Sequence, residues 1–371
     1  MTSTRPPQSR ADCKANFDLI RWWISQCELH PVCARVPDFA SNFQLPTRLI
    51  DIGIEPDAIP RLIVSSDLDE AADRRYVALS HCWGDPSKVP KTVRATLAQH
   101  QERITGLSKT FGDAIEVTRQ IGARYLWIDS LCIVQQDAVD WEIECSKMSF
   151  IYARAYCVLS AMGAADGSVR LFIPRSSYPP SSRINHVRDW DSVSKGPLST
   201  RGWAFQEHQL STKIVHFTKS RLLWECRTCV AYEDFQAPIS RIILGTGTRN
   251  FSVPSGKWRL LDGRPGKNEK YNRINFSPSK ALALQTRHDI HTRWLKAVEI
   301  YSSRSLTFSD DKLPALSGLA SALSAVIGKD DYLAGIWADD ILRGLFWKHG
   351  TTFRALFKQT GAYTFLAVGF I

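Results

Sequence analysis

Two groups of soft donors stand at ligand-like spacing. Cys27-x-x-His30-x-x-Cys33 and Cys226-x-x-Cys229 supply the thiols and imidazole that hold zinc. A closed zinc site takes four ligands, and neither group has an evident partner pair of comparable spacing, so the ligand count favours small apolar core residues for both. The nine cysteines are an odd number without disulfide-framework spacing, which fits reduced thiols. Other polar groups gather in the turn His81-Cys-Trp-Gly-Asp85, which follows an apolar run and is closed by Pro86. Asp129 ends a second apolar run, Tyr125-Leu-Trp-Ile128, where it either binds a ligand or caps the following loop. Trp203 and Glu207 fall one turn apart on the same helical face. That glutamate either does chemistry, faces solvent or pairs with Arg201.

The elements that must position these groups alternate. Tyr76 to Ser80 reads as a buried strand. Thr110 to Gly122 has helical spacing in Phe111, Ala114, Ile115, Val117 and Ile121, with Gly122 at the stop. Tyr125 to Ile128 is the next strand. From Asp140 as N-cap, Trp141 to Arg154 reads as a helix, and Ala155 to Ala161 as a third strand. Crossovers of helix length imply a parallel sheet covered on both faces, with ligands outside the carboxyl ends of its strands. Upstream, Asn16 to Cys33 is an amphipathic helix, and Leu45 to Gly53 with Arg61 to Ser65 form a hairpin-like lead-in. Downstream, Gly163 to Gly196 reads as an irregular insertion, order resumes over Leu198 to Leu210, and Lys213 to Phe217 and Arg221 to Cys226 are strands. A polar, basic stretch runs to about Lys280. Helices are expected over Trp294 to Tyr301, Leu313 to Ile327 and Tyr332 to Trp347. The expected division is a lead-in at 1–75, an α/β domain at 76–230 with an insertion at 163–197, and a mainly helical C-terminal region at 231–371. The apolar end, Tyr363 to Ile371, stops without a polar tail, so a truncation is expected there.

Composition sets outer bounds. At 371 residues, 44% of them hydrophobic and 23% charged, the chain has enough apolar material for one large or two modest cores, and disorder is not expected. The net charge of +10 comes from scattered lysines and arginines, so it names no nucleic-acid partner. There is no apolar run of bilayer length and no secretory signal at the N-terminus, and the expected location is cytoplasmic.

Three ordered blocks carry a family resemblance: Tyr76-Val-Ala-Leu-Ser-His-Cys-Trp-Gly84; then Leu126-Trp-Ile-Asp129, Cys132-Ile-Val-Gln135 and Met148-Ser-Phe-Ile-Tyr152; then Arg201-Gly-Trp-Ala-Phe-Gln-Glu207 with Leu223-Trp-Glu-Cys226. Over residues 76 to 226 the chain resembles the HET (heterokaryon incompatibility) domain family. Weaker echoes lie at Tyr301 to Thr307, Leu313 to Ala320 and Leu333 to Trp337. The chain departs from the family in lacking a Ser-Trp-Ser-Trp segment after Trp347, which puts the C-terminal region's integrity in doubt, and in carrying His81 where tyrosine is commoner. The resemblance implies a role in fungal non-self recognition and programmed cell death, a form of innate immunity.

HET domains in turn resemble TIR domains, which implies an α/β, TIR-like (flavodoxin-like), mostly parallel sheet flanked by helices. Enzymatic TIR domains cleave the nicotinamide–ribose bond of NAD. On that resemblance Glu207 is the catalytic carboxylate, and Ser80, Trp83, Gly84, Asp85, Asp129, Arg201 and Trp203 bind the ligand, with Trp127 as a further wall. NAD enters as a substrate, and no cofactor or metal is expected. The three tryptophans, Trp83, Trp127 and Trp203, read more readily as core than as stacking surface, while Asp129 reads as well as a loop cap and Arg201 as an anchor for the insertion. Three functions stay open: an NAD-cleaving effector, a non-catalytic module that self-associates or binds a partner receptor or incompatibility protein, and a diverged small-molecule enzyme.

Overall fold

Phe17, Ile20, Ile24 and Cys27 recur at helical spacing, and in the computed structural model they form the buried face of α1 (Lys14–Glu28). The structure describes residues 8–37, 40–42, 45–175, 193, 195–233, 239–240, 287–328 and 331–345. A single turn, α2 (Pro31–Ala34), follows, with proline where its missing N–H costs nothing. Then come β1 (Arg48–Asp51), β2 (Arg61–Val64), β3 (Tyr76–Ser80), β4 (Thr92–Val93), α3 (Leu97–Glu102) and α4 (Lys109–Gln120). The middle holds β5 (Tyr125–Trp127), α5 (Asp129–Cys132), β6 (Val134–Gln135), α6 (Ala138–Arg154), β7 (Cys157–Ser160) and α7 (Trp203–Leu210). The remainder is β8 (Lys213–Phe217), β9 (Leu222–Cys226), β10 (Cys229–Tyr232), β11 (Ile239–Ser240), α8 (Arg287–Ser302), α9 (Pro314–Ile327), β12 (Tyr332–Leu333), β13 (Ile336–Trp337) and α10 (Ile341–Leu345).

Among the described residues nine strands make the main sheet, in the order β11-β10-β9-β8-β7-β3-β5-β1-β2. Its centre is parallel: β3 pairs with both β5 and β7, and β7 with β8. Parallel neighbours cannot be joined by a tight turn, so α4, α6 and α7 lie in the crossovers to β5, β7 and β8. Counting the parallel strands along the chain as β3, β5, β7, β8, the spatial order is two, one, three, four, the flavodoxin-like order of an α/β fold flanked by helices. β3, β7 and β8 are buried on every residue, as a parallel centre covered on both faces requires. Antiparallel strands extend both edges. On one side the lead-in strands join the same sheet, Ile50 opposite Leu126; on the other β9 pairs with β8 and β10 with β9. α1 lies against this second extension, where Trp23 stacks on Trp224 with ring centroids 6.0 Å apart.

The C-terminal helices pack onto α6 and α7. Phe205 and Leu210 of α7 share a core with Trp294, Leu316, Leu319 and Trp337. A Cβ at Gly318 would stand 2.4 Å from Ser149 Cβ, so glycine is what lets α9 approach α6 this closely.

Helix ends follow local chemistry in one case and tertiary structure in another. Ser108 caps α4, its hydroxyl accepting from Phe111 N at 3.2 Å. Ser108→Ala is expected to cost about 1 kcal/mol, read as a lower urea midpoint. The N-cap of α6 is Asp137 rather than the expected Asp140, and accepts from Asp140 N at 3.3 Å. The Asp140 carboxylate is recruited by distant groups instead: Arg48 Nη2 donates to it at 2.6 Å and Val134 N at 2.8 Å. The helix expected over 332 to 347 is also corrected. Ala334 and Gly335 take positive φ, 48° and 105°, and fold β12 and β13 into a hairpin, so that among the described residues of this span helix is confined to the 3-10 turn Ala338–Asp340 and α10.

Residues 176–192 of the insertion, the polar stretch at 241–286 and the apolar end at 346–371 lie outside the described residues. Among the described residues no helix is long and apolar enough to cross a membrane.

Candidate functional site

An open α/β sheet offers a crevice outside the carboxyl ends of its strands, where strand order reverses. Here that point lies between β3 and β7, whose paired last residues are Ser80 and Ser160. Above them α7 delivers Glu207. Ser80 Oγ donates to Glu207 Oε2, and the glutamate is 1% exposed. A buried carboxylate needs such a partner, because desolvation strongly disfavours its charged form.

A second pair lies alongside. Asp129, the first residue of α5, lies two residues past the end of β5, which carries it to the same sheet edge. His81 Nε2 donates to its Oδ1 at 3.1 Å, and Trp83 Nε1 donates to its Oδ2 at 2.9 Å. Ser130 N also donates to Oδ1, at 2.7 Å, so Asp129 holds the backbone next to it and fixes two side chains of the turn after β3. Arg201 reaches in from the other side, its Nη1 donating to the His81 carbonyl. Phe111 meets the His81 ring edge-on at 5.0 Å.

The two carboxylates differ in their proton affinity. Burial raises Glu207 above the ordinary glutamate value; Asp129 adds to this, while Arg201, the Ser80 hydroxyl and His81 oppose it. Burial also works against the Asp129 anion, but His81, Arg201 and Trp83 outweigh it and hold Asp129 below the ordinary aspartate value. Opposite shifts in adjacent carboxyls make Glu207 lose its proton at a higher pH than Asp129.

The shifts have opposite consequences for stability. A lowered native value gives stabilisation that is complete above the unfolded aspartate value and lost as pH falls through the native one. A raised native value keeps an extra proton on the folded state, so stability is lost as pH climbs from the unfolded glutamate value towards the native one. The urea midpoint is therefore expected to rise with pH in the acid range and to carry a declining component above the ordinary glutamate value. Glu207→Gln, neutral at every pH, should remove that decline and keep the rise; an unchanged decline in the variant would assign it elsewhere.

Ser80, Trp83, Asp129, Arg201 and Glu207 thus meet around one point. Gly84 serves the turn: its φ is +66°, and a Cβ there would stand 2.5 Å from Asp166 Cβ. Asp85 is exposed and holds Ser87, whose backbone N donates at 3.0 Å, so it shapes the turn and does not join the buried cluster. Trp203 faces the C-terminal region, its Nε1 donating to Asp311 Oδ2 at 2.9 Å. Trp127 is fully buried, edge-on to Tyr152 with centroids 5.6 Å apart, and is core rather than wall.

Sequence reasoning passed over His81 and Tyr152 as site residues. His81 follows directly on Ser80 at a strand end, which was the available signal. Tyr152 donates to the Leu79 carbonyl at 3.1 Å and lies close enough to Glu207 to be held far above the usual tyrosine value, by burial first and by that carboxylate second. Nothing in local spacing announces it.

A cavity of about 20 Å³ opens beside the cluster, lined by Ser80, Ser160, Met162, Ala204, His208 and Arg304. That is room for water and far short of the 300 to 1,000 Å³ roughly typical of ligand pockets. His208 Nε2 and His216 Nε2 lie 2.8 and 3.1 Å from Glu225 Oε2 at its flank. A larger groove of about 530 Å³ near Asp113 and Arg170 lies between α1 and α4 and takes in none of the Glu207 cluster.

Comparison with known proteins adds one match. Residues 76–207, roughly a third of the chain, match the family described as Heterokaryon incompatibility protein (HET). Neither a curated protein nor a solved structure matches the chain.

Proposed function

We propose that the chain, whose residues 76–207 match the HET family, serves a heterokaryon incompatibility-type function and executes it in the cytoplasm by cleaving NAD. The observation that carries the proposal is the Ser80–Glu207 pair at the topological switch point of the sheet. Ligands in such folds bind there, and a TIR-like NAD-cleaving site needs one buried carboxylate at that place.

The chemistry asks little. The bond between ribose C1′ and the nicotinamide nitrogen breaks with its electron pair leaving on nicotinamide, which departs neutral because it begins cationic. No strong acid is needed. The ionised Glu207 carboxylate stabilises the oxocarbenium-like ribose and then takes a proton from the water that adds to C1′. Asp129, kept anionic by His81 and Trp83, orients the turn that follows β3. In this reading Arg201, which donates to the His81 carbonyl, meets the pyrophosphate. The water-sized cavity requires α7 or the turn at Trp83 to move before a dinucleotide enters.

The same small cavity favours a second reading, in which the cluster is a structural lock and the protein signals by self-association or by binding a receptor or incompatibility partner. Nicotinamide release from NAD by the full chain, at high concentration or tethered to force assembly, separates the two. Release is expected from the wild type. No release, together with death of expressing cells, supports the second reading; turnover of another metabolite with NAD untouched points to a diverged enzyme.

A further inference from the structure

The two donor groups separated by nearly two hundred residues are brought together. α1 packs on β9, which sets the α1–α2 junction against the turn between β9 and β10. One donor atom from each of Cys27, His30, Cys33 and Cys226 lies within 4.8 Å of every other. Cys226 Sγ stands 3.7 Å from His30 Nδ1. In a tetrahedral site with metal–sulfur bonds of about 2.3 Å, neighbouring donors are separated by roughly 3.5 to 3.8 Å, so the observed spacing needs little adjustment.

We propose that Cys27, His30, Cys33 and Cys226 bind a structural zinc ion that ties the N-terminal helix to the antiparallel edge of the sheet. Three further features support it. Cys226 Sγ accepts backbone N–H from Thr228 at 3.4 Å and from Cys229 at 3.3 Å, the way a short turn stabilises a thiolate ligand. Cys33 Sγ lies 3.3 Å from Thr228 Oγ1, giving a second thiolate a hydroxyl donor. The three ligand cysteines are buried and His30 is half-buried, so the site is closed to exchange with solvent on most sides. Three thiolates and an imidazole are a soft donor set that selects zinc over magnesium or calcium. Cys229 Sγ, 3.6 Å from Cys226 Sγ, is a fifth donor left outside the set of four. Neither group has a partner pair of comparable spacing in the sequence, and the fold completes the set of four by bringing one cysteine of the second group to the first.

The test uses the full chain purified from zinc-supplemented medium, with zinc alone as the probe. One zinc per chain is expected in the wild type and in Cys229→Ser, and its loss in Cys226→Ser. Where Cys226→Ser fails to fold, His30→Cys keeps four ligands and should retain one zinc. Cobalt exchanged into the wild type should give tetrahedral ligand-field bands and a thiolate charge-transfer intensity that grows by about one third in His30→Cys, from three thiolates to four. A chelator should lower the melting temperature of the wild type. The proposal is overturned by wild-type protein that holds no zinc, by zinc that persists in folded Cys226→Ser, or by cobalt spectra unchanged in His30→Cys.

Discussion

Glu207→Gln is expected to reduce nicotinamide release by on the order of 10³-fold or more, equivalent to about 4 kcal/mol of lost transition-state stabilisation, while the protein stays folded. Glutamine has the same shape, and its amide oxygen still accepts from Ser80 Oγ, so the pair that fastens α7 to the end of β3 survives. The substitution also removes an ionisable group whose burial works against its charge. The loss therefore has to come from chemistry. Because burial raises Glu207, wild-type release should grow with pH through a value above the ordinary glutamate range, where the working carboxylate forms. Nicotinamide release across pH by both proteins checks this. Equal release from the variant defeats the catalytic role of Glu207. Cell death undiminished by Glu207→Gln shifts the weight to signalling by association.

Much of this site was legible because motif order translates into geometry once the strands are parallel. Ser80 and Asp129 stand where the runs beginning at Tyr76 and Tyr125 finish, so an α/β reading puts both at the carboxyl edge before any coordinate is seen. Glu207 is legible only through the family resemblance, because its spacing to Trp203 does not bring the two together: Glu207 meets Ser80 and Trp203 meets Asp311. What stayed hidden depends on orientation. Trp83 and Trp127 are the same residue type next to the same strand ends, yet one hydrogen-bonds Asp129 and the other lies in the core. Spacing cannot separate them, because both faces of a central parallel strand are buried. Asp140 suits an N-cap by its sequence position, but Arg48 from the first strand captures it. The hairpin at 332–337 turned on two positive-φ residues that an apolar periodicity does not register.

Trp127→Ala is expected to cost about 3 to 5 kcal/mol, a large share of the roughly 5 to 15 kcal/mol by which domains are stable. The indole is fully buried at the end of β5. In the sheet it pairs with Ala78 of β3, a small residue that leaves room beside it, and across the layer it meets Tyr152 edge-on at 5.6 Å. Truncation leaves a cavity that neither the parallel strands nor α6 can close without breaking the Tyr152 bond to the Leu79 carbonyl. Trp127 Nε1 has no hydrogen-bond partner among the described residues, so Trp127→Phe removes volume but no bond and should cost less. Trp83→Ala makes the informative contrast. Trp83 is only half-buried, so its loss of packing is smaller, but it frees one oxygen of Asp129 from its indole donor. Urea midpoints and nicotinamide release per folded molecule, measured together, should split the pair: Trp127→Ala through stability, Trp83→Ala through turnover. If Trp127→Ala instead keeps its midpoint and loses turnover, Trp127 is a wall of the site and the core assignment fails.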